Sequence, residues 1–220
     1  MKAVCLLSGG MDSSTLAFLA KSEGYEIYAL HFTYGQRTEQ KERDCAMQIA
    51  QRLHAMEFLD VDLNYLIRVG ASSLTDRSIP VVAHGDAGFG IPQTYVPFRN
   101  ANLLSVATSF AESRGADAIF IGVQASDYSG YPDCRPEFVA AFQQVIDLGT
   151  RPETRILLKT PFVHLNKAEI LRIGMKLSVP YEDTWSCYQD GEAACGVCGS
   201  CHFRQEAFEA VGIMDPIPYR

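Results

Sequence analysis

Four of the seven cysteines in this 220-residue chain fall close together near its end, at Cys187, Cys195, Cys198 and Cys201. Gly196 and Gly199 stand between successive thiols, and tight turns there let the sulfurs converge on one ion. Four thiolates complete a tetrahedral zinc site and leave no open position, so the expected role of zinc is structural rather than catalytic. Iron–sulfur proteins also use Cys-x-x-Cys-x-x-Cys runs and stand as the rival. His202 could ligate, but Cys187 completes the set without it. Cys5 and Cys45 read as small buried residues. Cys134 sits in a polar loop with no histidine paired to it by any motif, and reads as non-nucleophilic.

A second constellation lies at the other end of the chain. Ser8-Gly9-Gly10-Met11-Asp12-Ser13-Ser14 directly follows an apolar run at residues 3–7 and opens an amphipathic segment. Glycines allow backbone N–H groups to approach a ligand with no Cβ in the way. The following helix start adds free donors and a positive dipole end, which together suit a phosphate. Ser8, Ser13 and Ser14 could add hydroxyl donors. The lysine of a Walker A loop is missing and Gly-x-Gly-x-x-Gly is absent, so neither of those nucleotide motifs applies. The plain alternative is a tight turn with a Ser or Asp helix cap.

The elements that must position these groups follow from periodicity. Runs at 3–7, 27–32, 58–61, 118–122 and 155–158 read as buried strands. Segments 12–22, 41–53, 102–113, 138–148 and 167–177 carry apolar residues at helical spacing. Residues 62–97 hold Gly70, Pro80, Gly85, Gly88, Gly90, Pro92 and Pro97 and read as a long loop, a type that is often functional. Asn166 and Glu169 form a capping box, with Leu165 and Ile170 as a hydrophobic staple, while Lys167 carries no assigned role. The expected fold is α/β, a five-stranded parallel sheet with helices on both faces. Ligands in such sheets bind at the carboxyl ends of the strands. Residues 1–180 are expected to form the nucleotide-binding domain, and 181–220 a small zinc segment packed on it.

Composition narrows the function. Lys and Arg number 19 against 26 Asp and Glu, a net charge of −7, the opposite of the balance that grips a phosphate backbone. Nucleic acid is therefore not an expected partner. No apolar run approaches the ~20 residues of a membrane helix, and no secretory leader is evident. The odd cysteine count argues against a disulfide framework. A cytoplasmic protein without a membrane partner is expected.

Ser8-Gly9-Gly10-x-Asp12-Ser13 after a first strand resembles the pyrophosphate loop of the N-type ATP pyrophosphatases, as does Pro161-Phe162 followed by Lys167-x-Glu169-Ile170. The match sharpens further along the chain. Tyr34-Gly35-Gln36-Arg37, Tyr95-Val96-Pro97-Phe98-Arg99-Asn100, the string from Asp127 to Phe138 (Asp-Tyr-Ser-Gly-Tyr-Pro-Asp-Cys-Arg-Pro-Glu-Phe) and Trp185-Ser186-Cys187 precede the cysteine run in that order. From residue 3 to about residue 208 the chain is similar to the 7-cyano-7-deazaguanine synthase family. Two positions depart from the family pattern: Thr38 stands where a His is usual, and Phe98 where a Gly is usual.

The resemblance implies ATP-dependent conversion of 7-carboxy-7-deazaguanine and ammonia into the corresponding nitrile, through an acyl adenylate and an amide, with release of AMP and pyrophosphate. ATP, Mg²⁺ and a structural Zn²⁺ are the implied cofactors, and a homodimer the implied assembly. ATP would meet the run Ser8, Gly9, Gly10, Met11, Asp12, Ser13, Ser14, Thr15 and Leu16. Asp12 would orient Mg²⁺ or cap the helix, and Arg99 would neutralise phosphate or carboxylate charge. Residues 31–33 would flank the adenine. Asp127 or Asp133 would accept from the amine edge of the deazapurine, and Arg135 would meet its carboxylate. Turn-forming roles stand as the alternative for these loop residues. No general base is evident from the sequence.

Overall fold

In a computed structural model of the chain, residues 1–70, 72–85, 90–124 and 130–220 are described. Five parallel strands form one sheet: β1 (Lys2–Leu6), β2 (Glu26–Thr33), β3 (Glu57–Asp62), β4 (Ala118–Phe120) and β5 (Leu157–Lys159). Their order is β3-β2-β1-β4-β5. The chain builds outward from β1 in one direction and then returns to its other side, so the order reverses between β1 and β4. That reversal opens a crevice at the strands' carboxyl ends.

Strand alternation divides the core. Ala3, Cys5 and Leu7 with Ile27, Ala29, Ala118 and Phe120 face one layer, which contains α1 (Met11–Ser22), α2 (Glu39–Arg52) and α6 (Lys167–Lys176). Val4, Leu6, Tyr28, Leu30, Phe32 and Ile119 face the other, which contains α4 (Arg99–Arg114) and α5 (Pro136–Gly149). Strands covered on both sides are apolar at nearly every position, which explains the runs of β1 and β2; His31 and Thr33 are the buried polar exceptions in β2. Burying a side chain such as Leu16 or Phe120 contributes roughly 1.5–3 kcal/mol. A short helix, α3 (Tyr65–Val69), interrupts the long loop. Helix α7 (Gly199–Val211) lies beyond the elements expected from periodicity. Its Ala207 and Phe208 pack with Met11, Leu171 and Tyr181, which seats the C-terminal segment on the helical layer of α1 and α6. No helix among the described residues is long and apolar enough to cross a membrane.

Local devices fix the elements. The capping box is present: Glu169 N–H donates to Asn166 at 3.0 Å and Asn166 N–H donates to Glu169 at 2.8 Å. Leu165 and Ile170 join the same core cluster, as a staple requires. The start of α4 is held by Asp133, whose carboxylate accepts the Asn100 N–H at 2.8 Å while the Asn100 amide donates to the Asp133 carbonyl at 3.1 Å. Arg204, buried to 1% exposure, donates to both carboxylate oxygens of Asp215 at 2.7 and 2.9 Å and also to Thr184 and to the Tyr181 carbonyl. These bonds tie α7 to the segment that carries Trp185 and Cys187.

Among the positions with positive φ, Gly9 and Phe98 differ in consequence. Gly9, at φ +81°, lies so close to α2 that an added Cβ would come within 2.4 Å of the Glu42 carbonyl and 2.8 Å of the Ala46 nitrogen. Phe98, at φ +57°, occupies the position where the family pattern has glycine, and the residue is 61% exposed. Gly9→Ala should therefore cost about 3 kcal/mol or more, because a backbone clash adds to an unfavourable φ. Phe98→Gly should change stability by only about 1 kcal/mol, since relief of the left-handed strain is offset by glycine's entropy. Thermal or denaturant unfolding of the two variants checks both; equal losses would contradict the distinction.

Candidate active site and metal centre

The crevice at the β1/β4 reversal is a cavity of about 300 Å³. The turn after β1 forms one end of it through Ser8, Gly10, Met11, Asp12 and Ser13. Gly10 is the N-cap of α1 in an extended conformation, and no side chain caps the helix. The first backbone N–H groups of α1 therefore meet the cavity without an intrahelical or side-chain partner. The Ser8 and Ser13 hydroxyls lie 2.9 Å apart, and Ser13 donates to the Gly10 carbonyl at 3.2 Å, which fixes the turn. Free amides, a helix dipole and two hydroxyls suit an anion.

The expected loop residues divide by orientation. Gly9 does not line the cavity; it admits α2, and its carbonyl accepts the Trp185 N–H at 2.9 Å. Ser14, Thr15 and Leu16 are buried behind the turn. Thr15 Oγ1 donates to the Met11 carbonyl and pairs with the Tyr181 hydroxyl, each at 2.8 Å, and Leu16 belongs to the core. Of residues 31–33, Phe32 reaches the cavity. The His31 Nδ1–H donates to the Leu7 carbonyl at 2.8 Å, its ring stacks with Phe58, and burial pulls its pKa down.

Asp12 does not cap α1, which removes that alternative. Its Oδ2 pairs with Lys167 Nζ at 2.5 Å, with both side chains about one-fifth exposed. Its Oδ1 is buried without a hydrogen-bond partner. An orphaned carboxylate oxygen beside an anion-binding turn is a fitting ligand for a hard cation such as Mg²⁺. Lys167, unassigned from sequence, is thus brought across 155 residues to the floor of the site. The capping box explains how: it starts α6 with Lys167 as its first residue.

The opposite end of the cavity is built from the loop after β2 and the start of α4. Arg99 Nη1 donates to the Tyr34 hydroxyl at 3.0 Å, with the guanidinium 5.5 Å from that ring's centre. Tyr34 leads the influences that hold the Arg99 pKa up, so the group keeps its charge against burial. Glu42 also lines this end. It accepts from Thr38 Oγ1 at 2.5 Å and from Gln36 Nε2 at 3.3 Å. Burial nevertheless raises its pKa to about 7, with those two hydrogen bonds and the Arg99 charge opposing. Thr38 thus serves as a hydroxyl donor where the family pattern has His. Arg37 is spent on structure, donating to the carbonyls of Ser73, Asp76 and Ile79.

Three further residues were expected to read the substrate. Asp133 is buried and committed to the start of α4, and Arg135 is exposed; neither is among the described residues lining the cavity. Asp127 lies outside the described residues. Cys134 lines the cavity and accepts from the Asn100 amide at 3.2 Å. Glu42, Trp185 and Tyr131 line the site without having been singled out for it from sequence. The Tyr-Gly-Gln-Arg and Trp-Ser-Cys motifs, and the Asp127–Phe138 string that contains Tyr131, hinted at the neighbourhood.

The four expected cysteines converge. All are buried, and their sulfurs lie within 4.8 Å of one another, with Cys195 and Cys201 at 3.9 Å. Tetrahedral bonds of ~2.3 Å to one ion place sulfurs ~3.8 Å apart, so the spacing fits a single metal ion. Backbone amides support the sulfurs: Gln189 and Cys195 N–H donate to Cys187, and Cys198 N–H to Cys195, at 3.3–3.4 Å. Gly196 makes the turn at φ +73°. Cys198 is the N-cap of α7 and Cys201 lies in its first turn, where the dipole favours thiolates. Hydrogen bonding from Cys187 and Cys201 holds the Cys198 pKa down.

The model of the family described as "Queuosine biosynthesis protein QueC" matches residues 2–212. The 7-cyano-7-deazaguanine synthase of Methanospirillum hungatei JF-1 is 77% identical over 220 residues, all of both chains. That of Methanoculleus marisnigri is 62% identical over 218 residues, covering 99% of this chain and 98% of the relative. That of Sulfurovum sp. is 53% identical over 219 residues, covering 100% and 98%. Among solved structures, NMN synthetase from Francisella tularensis superposes with a TM-score of 0.52 at 16% identity, covering 97% of this chain and 78% of the other. U34-tRNA thiolase NcsA from Methanococcus maripaludis, solved with its [4Fe-4S] cluster, gives 0.51 at 15% identity, covering 96% and 64%. At such identities the structural likeness shows the shared fold alone. Sequence likeness over the whole chain shows more: the chain belongs to the 7-cyano-7-deazaguanine synthase family of queuosine biosynthesis.

Proposed function

We propose that the chain converts 7-carboxy-7-deazaguanine and ammonia into 7-cyano-7-deazaguanine, using ATP to activate first the carboxylate and then the resulting amide. The observation that carries this reading is one cavity that joins an uncapped helix start, the Asp12–Lys167 pair and the charged Arg99. Adenylation brings a carboxylate, an α-phosphate and a departing pyrophosphate together, and fixed donors aimed at those charges are what lowers its barrier.

The backbone N–H groups at the start of α1, with Ser8 and Ser13, would hold the pyrophosphate. Lys167 would add a positive charge at that end, and Asp12 Oδ1 would ligate Mg²⁺, whose contribution when bound is to neutralise phosphate charge. Arg99, oriented by Tyr34, would hold the substrate carboxylate or the α-phosphate. The walls at Leu30, Phe32 and Ile121 are apolar and would exclude water from a hydrolysable adenylate. The four thiols would hold zinc in a structural role, anchoring the segment that carries Trp185. Residues 1–180 would act as the nucleotide-binding domain, with 181–220 as the zinc segment.

Three outcomes test this reading. Incubation with ATP, Mg²⁺, ammonium and 7-carboxy-7-deazaguanine should give the nitrile, AMP and pyrophosphate by mass spectrometry; an amide as the sole product would limit the enzyme to the first half. Gly10→Val should fold, because the position has an extended φ and its Cβ would meet only the Ser8 hydroxyl at 3.3 Å and the Trp185 carbonyl at 3.5 Å. Its isopropyl group obstructs the anion end, so pyrophosphate release should fall about 100-fold or more while bound zinc stays. Cys195→Ser should lose zinc and melt at lower temperature. Unchanged metal content in that variant would remove the four-thiolate assignment.

A further inference from the structure

Nitrile formation differs from ordinary amide synthesis in its protons. An amide and ATP become a nitrile, AMP and pyrophosphate, and two N–H protons must leave. When the amide oxygen attacks the α-phosphate, pyrophosphate departs and the nitrogen acquires iminium character. Removing one N–H proton gives the neutral O-adenylyl imidate. Removing the second sends that N–H electron pair into the third C–N bond, while the C–O pair departs with AMP. Adenylation of an already ionised carboxylate needs no base; this second half does.

We infer that Glu42 is the general base that removes these N–H protons from the activated amide, an assignment that rests on the reaction proposed above. Its placement is the first ground. The missing Cβ of Gly9 brings the Glu42 backbone against the anion-binding turn, and the Glu42 side chain enters the same cavity. Chemistry supplies the second. Among the described residues lining the cavity, Asp12 and Glu42 carry the carboxylates, and Asp12 is already paired with Lys167. Glu42 has no such cation bonded to it; its partners are a hydroxyl and an amide, and each oxygen keeps a lone pair free. Arg99 from α4, Tyr34 after β2, and Glu39 and Cys45 on its own helix are the titratable groups close enough to influence it. Burial places its titration near neutrality, where a base combines availability with proton affinity. Glu42 takes the first proton, passes it to solvent, and then takes the second.

The amide half-reaction tests this without interference from ammonium, whose own titration is absent when 7-amido-7-deazaguanine and ATP are the substrates. The wild-type rate should fall as pH drops through about 7, because the carboxylate becomes protonated. Glu42→Gln keeps the size and cannot accept a proton. Its nitrile formation should fall about 100-fold or more and lose that pH limb. Carboxylate-dependent ATP–pyrophosphate exchange should fall far less, and Glu42→Asp should retain the limb. Equal losses in exchange and nitrile formation would make Glu42 a binding or structural residue and overturn the assignment, as would an undiminished nitrile rate. Zinc content and melting temperature report whether Glu42→Gln is folded. Should it not fold, a wild-type rate flat from pH 6 to pH 8 overturns the base on its own. Absence of pyrophosphate release by the wild-type enzyme with either substrate would overturn the reaction reading itself, and the base with it, without recourse to any variant.

Discussion

The site depends on how the turn at Gly9 is clamped. On one side the absent Cβ lets the α2 backbone approach; on the other the Gly9 carbonyl receives the Trp185 N–H from the cysteine-bearing segment. Three separately encoded parts thus meet at one peptide: the end of β1, the first turns of α2 and the segment leading to Cys187. Because the turn is held from both sides, the start of α1 need not be capped by a side chain. An uncapped helix start costs about 1 kcal/mol of stability, and the same missing cap is what leaves its N–H groups available to an anion.

The cysteine centre supports that clamp from a distance. Trp185 and Cys187 share one apolar cluster with Cys45 of α2, while Arg204 of α7 bonds to Thr184 and Ser186 on either side of Trp185. A metal bound by Cys187 and by the first turn of α7 would fix both ends of this bracket at once. The bracket replaces apolar area that a segment of about 40 residues could not bury by itself. Buried Arg204 pairs with Asp215 and so contributes little net energy, yet losing either partner would leave a charge in the interior. Its fixed geometry sets the direction from which Trp185 reaches Gly9.

What could be read in the sequence was whatever is local in it. Strand runs, the glycine turn, the capping box and the clustered thiols all operate within about fifteen residues, and each stands in the structure. Contacts across the sheet left no such trace. Lys167 meets Asp12 only because parallel pairing of β4 with both β1 and β5 brings the chain leaving β5 back beside the start of α1, where a capping box starts α6. Asp133 lies in the most distinctive string of the chain and invites assignment to a ligand, but its carboxylate serves the Asn100 amide. Helix α7 was missed because thiols occupy its first turn and obscure the apolar period. Phe98 gives the reverse case: a departure from the family pattern acquires a physical meaning, since the backbone there has the positive φ that glycine adopts freely.

Charge placement bears on how an acidic chain would hold the polyanionic substrate proposed for it. The net charge of −7 would oppose the ATP of the proposed reaction at long range, and solvent ions screen such repulsion beyond about 8–10 Å. Within the cavity the balance is set locally. Lys167 is offset by Asp12 before any ligand arrives, so the two enter as a neutral pair that costs little to bury. Arg99 stands against a phenol rather than a carboxylate and keeps its positive charge available. Glu42, held near its titration point by burial, need not oppose an incoming anion with a full negative charge. A carboxyl that burial holds near its titration point can share a cavity with phosphates and still accept a proton. The same burial that would shield the proposed adenylate from water therefore also sets the proton affinity that the proposed second half-reaction would need.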